Sequence, residues 1–227
     1  LRWLHPLEDW PWQDALYRAY ELARQGKHQE ANCVIEQAQN QPPTIEQRCT
    51  ILYFRQDWSG LIEWWENYPD REAIEARPDF ARHYLRALGE RGELNKLLQV
   101  IGEHYSAFQK VPLLQEHCYL YAFTFGGRVE HANKLLHAPV LENIGPDMRT
   151  IWIATAHCTA GNHEMANALL RPILRTTKDG MVRNFAESRL HCTFCSKLET
   201  LSAENKKFLQ KLEREWLERQ RMVSIWH

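Results

Sequence analysis

The feature that most constrains this chain is a turn residue that returns about every 34 positions. Four stretches carry it: "LYRAYELARQGKHQEANCVIEQA" from Leu16, "HYLRALGERGELNKLLQVIGEHY" from His83, "HCYLYAFTFGGRVEHANKLLHAP" from His117 and "IWIATAHCTAGNHEMANALLRPI" from Ile151. In each, an amphipathic segment runs into a glycine and a second amphipathic segment follows. The glycines are Gly26, Gly92, Gly127 and Gly161, and Asp57 of "FRQDWSG" fills the missing place, so that every step stays close to the same period. Five positions after the turn stand Ala31, Ile62, Leu97, Ala132 and Ala166, and nine after it Ile35, Glu66, Ile101, Leu136 and Leu170. Residues four apart share a helix face, so these pairs predict the seam along which the second helix of each hairpin packs on the first. Glu66 is the one exception, beside Trp64 and Trp65, which are placed to fill the seam instead.

Composition supports helices throughout. Among 227 residues there are only 10 Gly and 10 Pro, and alternation of β-branched residues is almost absent. Lys and Arg number 28 against 29 Asp and Glu, for a net charge of -1, so no global attraction to nucleic acid or anionic membrane is implied. Mean hydropathy is -0.55 and no run approaches the roughly 18 apolar residues of a membrane span. Six scattered cysteines in a chain too large to need disulfide staples favour a reducing compartment. The first residue is Leu1 and no leader-like segment follows it, which reads as a segment cut from a longer chain.

The period and turn resemble a degenerate tetratricopeptide-repeat array over residues 12–195. The aromatic and glycine positions early in the first helix of the family's consensus are not kept. The resemblance implies an all-α, right-handed α-solenoid of helix-turn-helix repeats, with units turning near 26, 57, 92, 127, 161 and 195. Residues 1–201 form the repeat domain and 202–227 a polar capping or exit helix, for which Ser202 is a plausible N-cap. In such solenoids the first helices line a concave binding face. With the turn residue as the fifteenth position of the repeat, inward positions hold Tyr20, Arg24, Arg55, Arg82, Arg86, His117, Tyr121 and Arg189. A row of guanidinium groups suits carboxylates, and interleaved tyrosines give rigid contact area. An acidic peptide or a C-terminal carboxylate is therefore the expected ligand, bound without a cofactor. Pairing of these arginines with the chain's own glutamates, such as Glu90, is the opposing possibility.

"LHCTFC" at residues 190–195 has the spacing of half a zinc site or of a redox pair. Repeat inheritance also accounts for it, because His157-Cys158-Thr159 and His191-Cys192-Thr193 stand one period apart and Cys195 falls where other units place glycine. A metal- or redox-responsive regulator using His157, Cys158, His191, Cys192 and Cys195 stays open as the alternative function. "HEMAN" at His163 lacks the second histidine of a zinc-protease motif, "DWSG" lies at a turn, and no phosphate or dinucleotide loop occurs, so nothing argues for catalysis. Of the tryptophans, Trp3, Trp10 and Trp12 cluster at the start and Trp58, Trp64 and Trp65 in the second unit; most are expected in the core or at its caps, and the other reading of the cluster is a surface that packs on a membrane or a neighbouring domain.

"RWLHP" at Arg2, "HYLRALGERGEL" from His83 and "VRNFAESRL" from Val182 together resemble the helical repeat region that precedes the membrane domain of cyanobacterial rhomboid-family intramembrane serine proteases. The resemblance implies a non-catalytic scaffolding or recruitment module, tethered on the cytoplasmic side of a membrane by its parent chain. The family's Gly-x-Ser-Gly loop and its histidine match no position here, so no catalytic residue carries over.

Overall fold

The computed structural model describes residues 10–39, 43–68, 77–138, 141, 144–190 and 200–225. Among them are thirteen helices and no strand, so the chain is all-α. In chain order these are α1 Trp10–Arg24, α2 His28–Ala38, α3 Ile45–Phe54, α4 Trp58–Glu66, α5 Pro78–Arg91, α6 Leu94–Glu103 and the single turn α7 Tyr105–Phe108. They continue with α8 Pro112–Phe125, α9 Val129–Leu136, α10 Pro146–Thr159, α11 His163–Thr176, α12 Gly180–Leu190 and α13 Ala203–Ile225. Proline opens α5, α8 and α10, where its missing N–H and fixed φ suit a first turn. Thr44 caps α3 with a reciprocal box to Gln47. None of the described helices is long and apolar enough to cross a membrane.

Five hairpins are closed by one and the same turn. Gly26, Gly92, Gly127 and Gly161 have φ between 67° and 82°, and the fifth left-handed residue is Gln56 at φ 56°. At every one, the turn residue's N–H donates to the carbonyl three before it, at 2.9–3.3 Å, and the next N–H donates five back, at 2.8–3.0 Å. This is the two-bond cap that satisfies the last carbonyls of a helix. The second turn therefore lies at Gln56 and not at Asp57, which instead caps α4 by accepting the Gly60 N–H at 2.9 Å. Moving that unit by one position removes the exception at Glu66. The five-after set becomes Ala31, Leu61, Leu97, Ala132 and Ala166, the nine-after set Ile35, Trp65, Ile101, Leu136 and Leu170, and all ten are at most 1 % exposed. Glu66 faces outward to Lys96 and the Tyr84 hydroxyl.

From the second hairpin on, each packs on the next in one repeated way: α3 on α5, α5 on α8, α8 on α10 and α10 on α12, with each second helix from α4 onward also touching the following first helix. Side chains about one period apart meet across these contacts. Cys49 Sγ lies 3.7 Å from His83 Nδ1, Thr159 Oγ1 donates to the Thr124 carbonyl at 2.8 Å, and Arg189 Nε donates to Thr155 Oγ1 at 3.1 Å. The row of first helices also closes on itself. Tyr20 of α1 sits edge-on to Phe54 of α3, and α1 touches α12. There, Arg24 Nε donates to Asp179 Oδ2 at 3.0 Å, while Asp179 Oδ1 accepts the N–H groups of Met181 and Val182 and so caps α12. Gly180 makes the approach possible, since a Cβ on it would lie 2.6 Å from the Ala23 carbonyl oxygen.

Helix α13 returns to the middle of the array and docks on α6 and α8 through Leu209, Leu212 and Trp216, all at most 2 % exposed. Ser202 caps it by accepting the Asn205 N–H, and the Asn95 side chain holds its start by accepting the Ser202 N–H at 2.9 Å. Of the tryptophans singled out by sequence, Trp12 and Trp65 are buried and Trp58 and Trp64 pack partly buried against the largest core; Trp3 and the Trp10 side chain lie outside the described residues.

Two glycines separate the turn from the packing. Gly161→Ala places a side chain in open space at φ 82° and should cost about 1 kcal/mol by backbone strain alone. Gly89→Ala drives a Cβ into the Phe125 ring between α5 and α8, and overpacking of this kind costs about 1–3 kcal/mol or more. Urea unfolding should rank Gly89→Ala clearly below Gly161→Ala; the reverse order would mean that α5 and α8 do not approach as described.

Candidate functional site

Closure of the row turns its inner face into one cavity of about 430 Å³, to which all six first helices contribute. α1 gives Tyr20 and Arg24, α3 gives Tyr53 and Phe54, and α5 gives Arg82, His83 and Arg86. On the other side α8 gives His117, Leu120 and Tyr121, α10 gives Met148 and Trp152, and α12 gives Met181, Val182 and Phe185. The lining thus holds three arginines against one carboxylate, Asp179, within a largely aromatic and aliphatic wall. Concave sites of this size and mixed lining are typical of ligand pockets.

Six of the eight residues expected on the inner face line this cavity: Tyr20, Arg24, Arg82, Arg86, His117 and Tyr121. Arg55 does not. It pairs with Glu36 of α2 on the far side, because the turn lies one position earlier than its sequence placement assumed, and Phe54 takes the inward position. Arg189 is buried behind the wall. Its guanidinium is held by Glu90, the Thr155 hydroxyl and the Ser188 hydroxyl at 3.2 Å. Pairing with Glu90 thus holds for Arg189, and for Arg86 at 3.5 Å.

The residues not foreseen are Tyr53, His83, Trp152, Phe185 and Asp179. The cavity crosses the first helices obliquely. Its lining lies close to the turn in α1, at Tyr20 and Arg24, and about a helical turn further from it in α5 and α8, at Arg82, Arg86, His117 and Tyr121. In α10 it lies further still, at Met148 and Trp152. One fixed set of repeat positions cannot follow such a path. "KDG" at Lys178 was the available signal for Asp179, an N-cap followed by a glycine.

A positive field pervades the cavity. His83 stacks on Tyr53 at 3.9 Å between ring centroids, and its pKa is lowered to about 3, first by burial and then by Arg82, Arg86 and His117. Burial raises the hydroxyl pKa of both Tyr20 and Tyr121, while Arg82 and Arg86 pull the other way. Burial opposes the charge on Arg86, but Tyr53, Glu90 and Tyr121 more than offset it, so Arg86 stays a cation. His117 Nδ1 lies 2.7 Å from the Leu113 carbonyl oxygen, which makes that nitrogen the donor.

Of the residues in the metal alternative, His191, Cys192 and Cys195 lie outside the described residues. Cys158 is buried with its sulfur 3.8 Å from His163 Nδ1, and burial lowers the pKa of His157. Among the described residues no three His, Cys, Asp or Glu side chains are grouped to hold a metal ion. No protein-family model matches the chain, and neither does any curated protein or any solved structure.

His83 gives the fold an acid limit. Its folded pKa near 3 lies below the unfolded value of 6.5, so the unfolded chain binds the extra proton between these values. Its contribution is complete above pH 6.5 and is lost as pH falls toward 3, at a slope approaching about 1.4 kcal/mol per unit. His83→Gln should flatten the decline in unfolding free energy between pH 7 and 5 measured by denaturant titration; an unchanged slope would mean that His83 is already protonated in the fold.

Proposed function

We propose that this chain is a non-catalytic protein-interaction module, a right-handed tetratricopeptide-like solenoid closed into a ring, that captures an acidic segment or the end of a partner chain. The observation that carries this reading is the convergence of arginines and tyrosines from separate helices on one cavity with a cationic balance. The five identical turns and the period-spaced contacts support the repeat assignment.

The cavity's lining suggests the ligand. Guanidinium groups hold carboxylates through paired charge-assisted hydrogen bonds, and tyrosines add contact at small entropic cost. In the setting that the rhomboid resemblance implies, the module brings a partner to a membrane-embedded protease from the cytoplasmic side.

A fluorescein-labelled glutamate-rich peptide, titrated by anisotropy, tests this reading. Binding should weaken as salt is raised. Arg82→Glu, at the half-buried wall of the cavity, should weaken it by about tenfold or more, with circular dichroism unchanged. Arg55→Glu, on the far side, should leave it unaltered. Absence of binding by the unaltered protein, or equal effects of the two reversals, would overturn the reading.

A further inference from the structure

Arg86 is held in a way that repeat packing does not require. It is 8 % exposed and lines the cavity, yet among the described residues its five N–H donors make one hydrogen bond, from Nη1 to the Tyr53 hydroxyl at 2.5 Å. Its Nε and the facing Glu90 Oε1 are buried, 3.5 Å apart, and neither has a hydrogen-bond partner among the described residues. Four rings surround the guanidinium carbon, with centroids at 4.7 Å for Phe185, 5.0 Å for Trp152, 5.4 Å for Tyr53 and 5.7 Å for Trp58. Rings stabilise the cation electrostatically but accept no conventional N–H bond at its edge. Burial of the charge is thus compensated, but most of the donors of this buried guanidinium have no acceptor among the described residues.

The charge around it is unbalanced in one direction. Glu90 is shared between Arg86 and Arg189, so this buried cluster holds two cations and one anion. The surplus of this cluster is a single positive charge, and a carboxylate offers one negative charge with a planar pair of oxygens suited to one edge of a guanidinium. The same cavity is also lined by apolar side chains, among them Leu120, Met148, Met181 and Val182.

We propose that the cavity's ligand is a monocarboxylate joined to an apolar group, that Arg86 receives the carboxylate through its unused N–H donors, and that Glu90 with Arg189 positions Arg86. This deepens the reading of the cavity as the binding site and rests on it. Two sources share this chemistry, the C-terminus of a chain ending in an apolar residue and a free apolar acid.

The test uses fluorescein-labelled hexapeptides with two glutamates at randomised positions, ending in Leu, Phe, Met or Val, each made as the free acid and as the C-terminal amide, with N-acetyl-leucine as the small-molecule arm. On the unaltered protein the free acids should bind about 10- to 100-fold more tightly than the amides, as expected for loss of a charge-assisted hydrogen-bonded pair. Arg86→Lys keeps the charge but not the planar fork and should remove most of that difference; the comparison on unaltered protein does not depend on how this variant folds. Acids and amides that bind equally would overturn the carboxylate assignment and leave capture of acidic segments standing. N-acetyl-leucine binding as tightly as the peptide acids would support Arg86 as the carboxylate receptor and overturn the peptide reading. No binding in any arm would overturn both.

Discussion

Everything in this fold depends on a single left-handed residue at the end of each first helix. With its two hydrogen bonds back into the helix, that residue fixes where the second helix starts and in which direction it runs. Once the turn is placed, the residues five and nine further on must fall in the seam, and they are buried in all five hairpins. The steps between turns are nevertheless unequal, the one from Gly26 to Gln56 being the shortest and the one from Gln56 to Gly92 the longest. That variation falls outside the stretch from turn to seam, so hairpins of different length keep one internal geometry. Gln56 shows how strongly geometry prevails over residue preference, since a side chain is held where glycine is normally favoured.

Closure adds a second constraint of a different kind. Two ion pairs link units that are distant in sequence, Arg24 with Asp179 and Glu90 with Arg189. The first is largely exposed and adds little by itself. The second is buried and joins the third unit to the sixth, so it fixes how far apart these parts of the ring stand. Buried ion pairs are often no more stabilising than apolar residues of similar volume. The cluster at Glu90 therefore has little to recommend it as a stability device. On the proposed reading, its use lies in holding a cation at the cavity wall, with the rings of Trp58, Trp152 and Phe185 around it.

What could be seen in the sequence was whatever repeats. The period, the turn glycines and most of the seam follow from residues at constant spacing, and so did six of the cavity's lining residues. The slip at Asp57 has a local cause: without a glycine, the capping Asp57 with Gly60 three positions on is a stronger signal than the glutamine that makes the turn. Arg55 was misplaced as a consequence. Closure of the ring was not legible, because it depends on the approach of α1 to α12, helices far apart in sequence, and a glycine in "KDG" looks like any helix start. The oblique course of the cavity was hidden for a related reason. It follows from how the helices stack across units, whereas a consensus position describes a place within one unit.

Closure also bears on the kind of recognition that the proposed module would perform. An open solenoid offers a groove whose length grows with the number of units, and a ligand can be read residue by residue along it. Here α1 meets α12 at Gly180, so the inner face is ringed by the first helices of the same chain. Affinity must then come from a few groups enclosed at once rather than from many contacts in series. A cavity of about 430 Å³ suits one charged group with a modest apolar body, and its lining holds a partner for each: the guanidinium of Arg86 and side chains such as Leu120, Met148, Met181 and Val182. Selectivity in such a site rests on fit and on the charge of the group that reaches Arg86. On that reading, the residues that hold the ring closed shape recognition as much as those that line it.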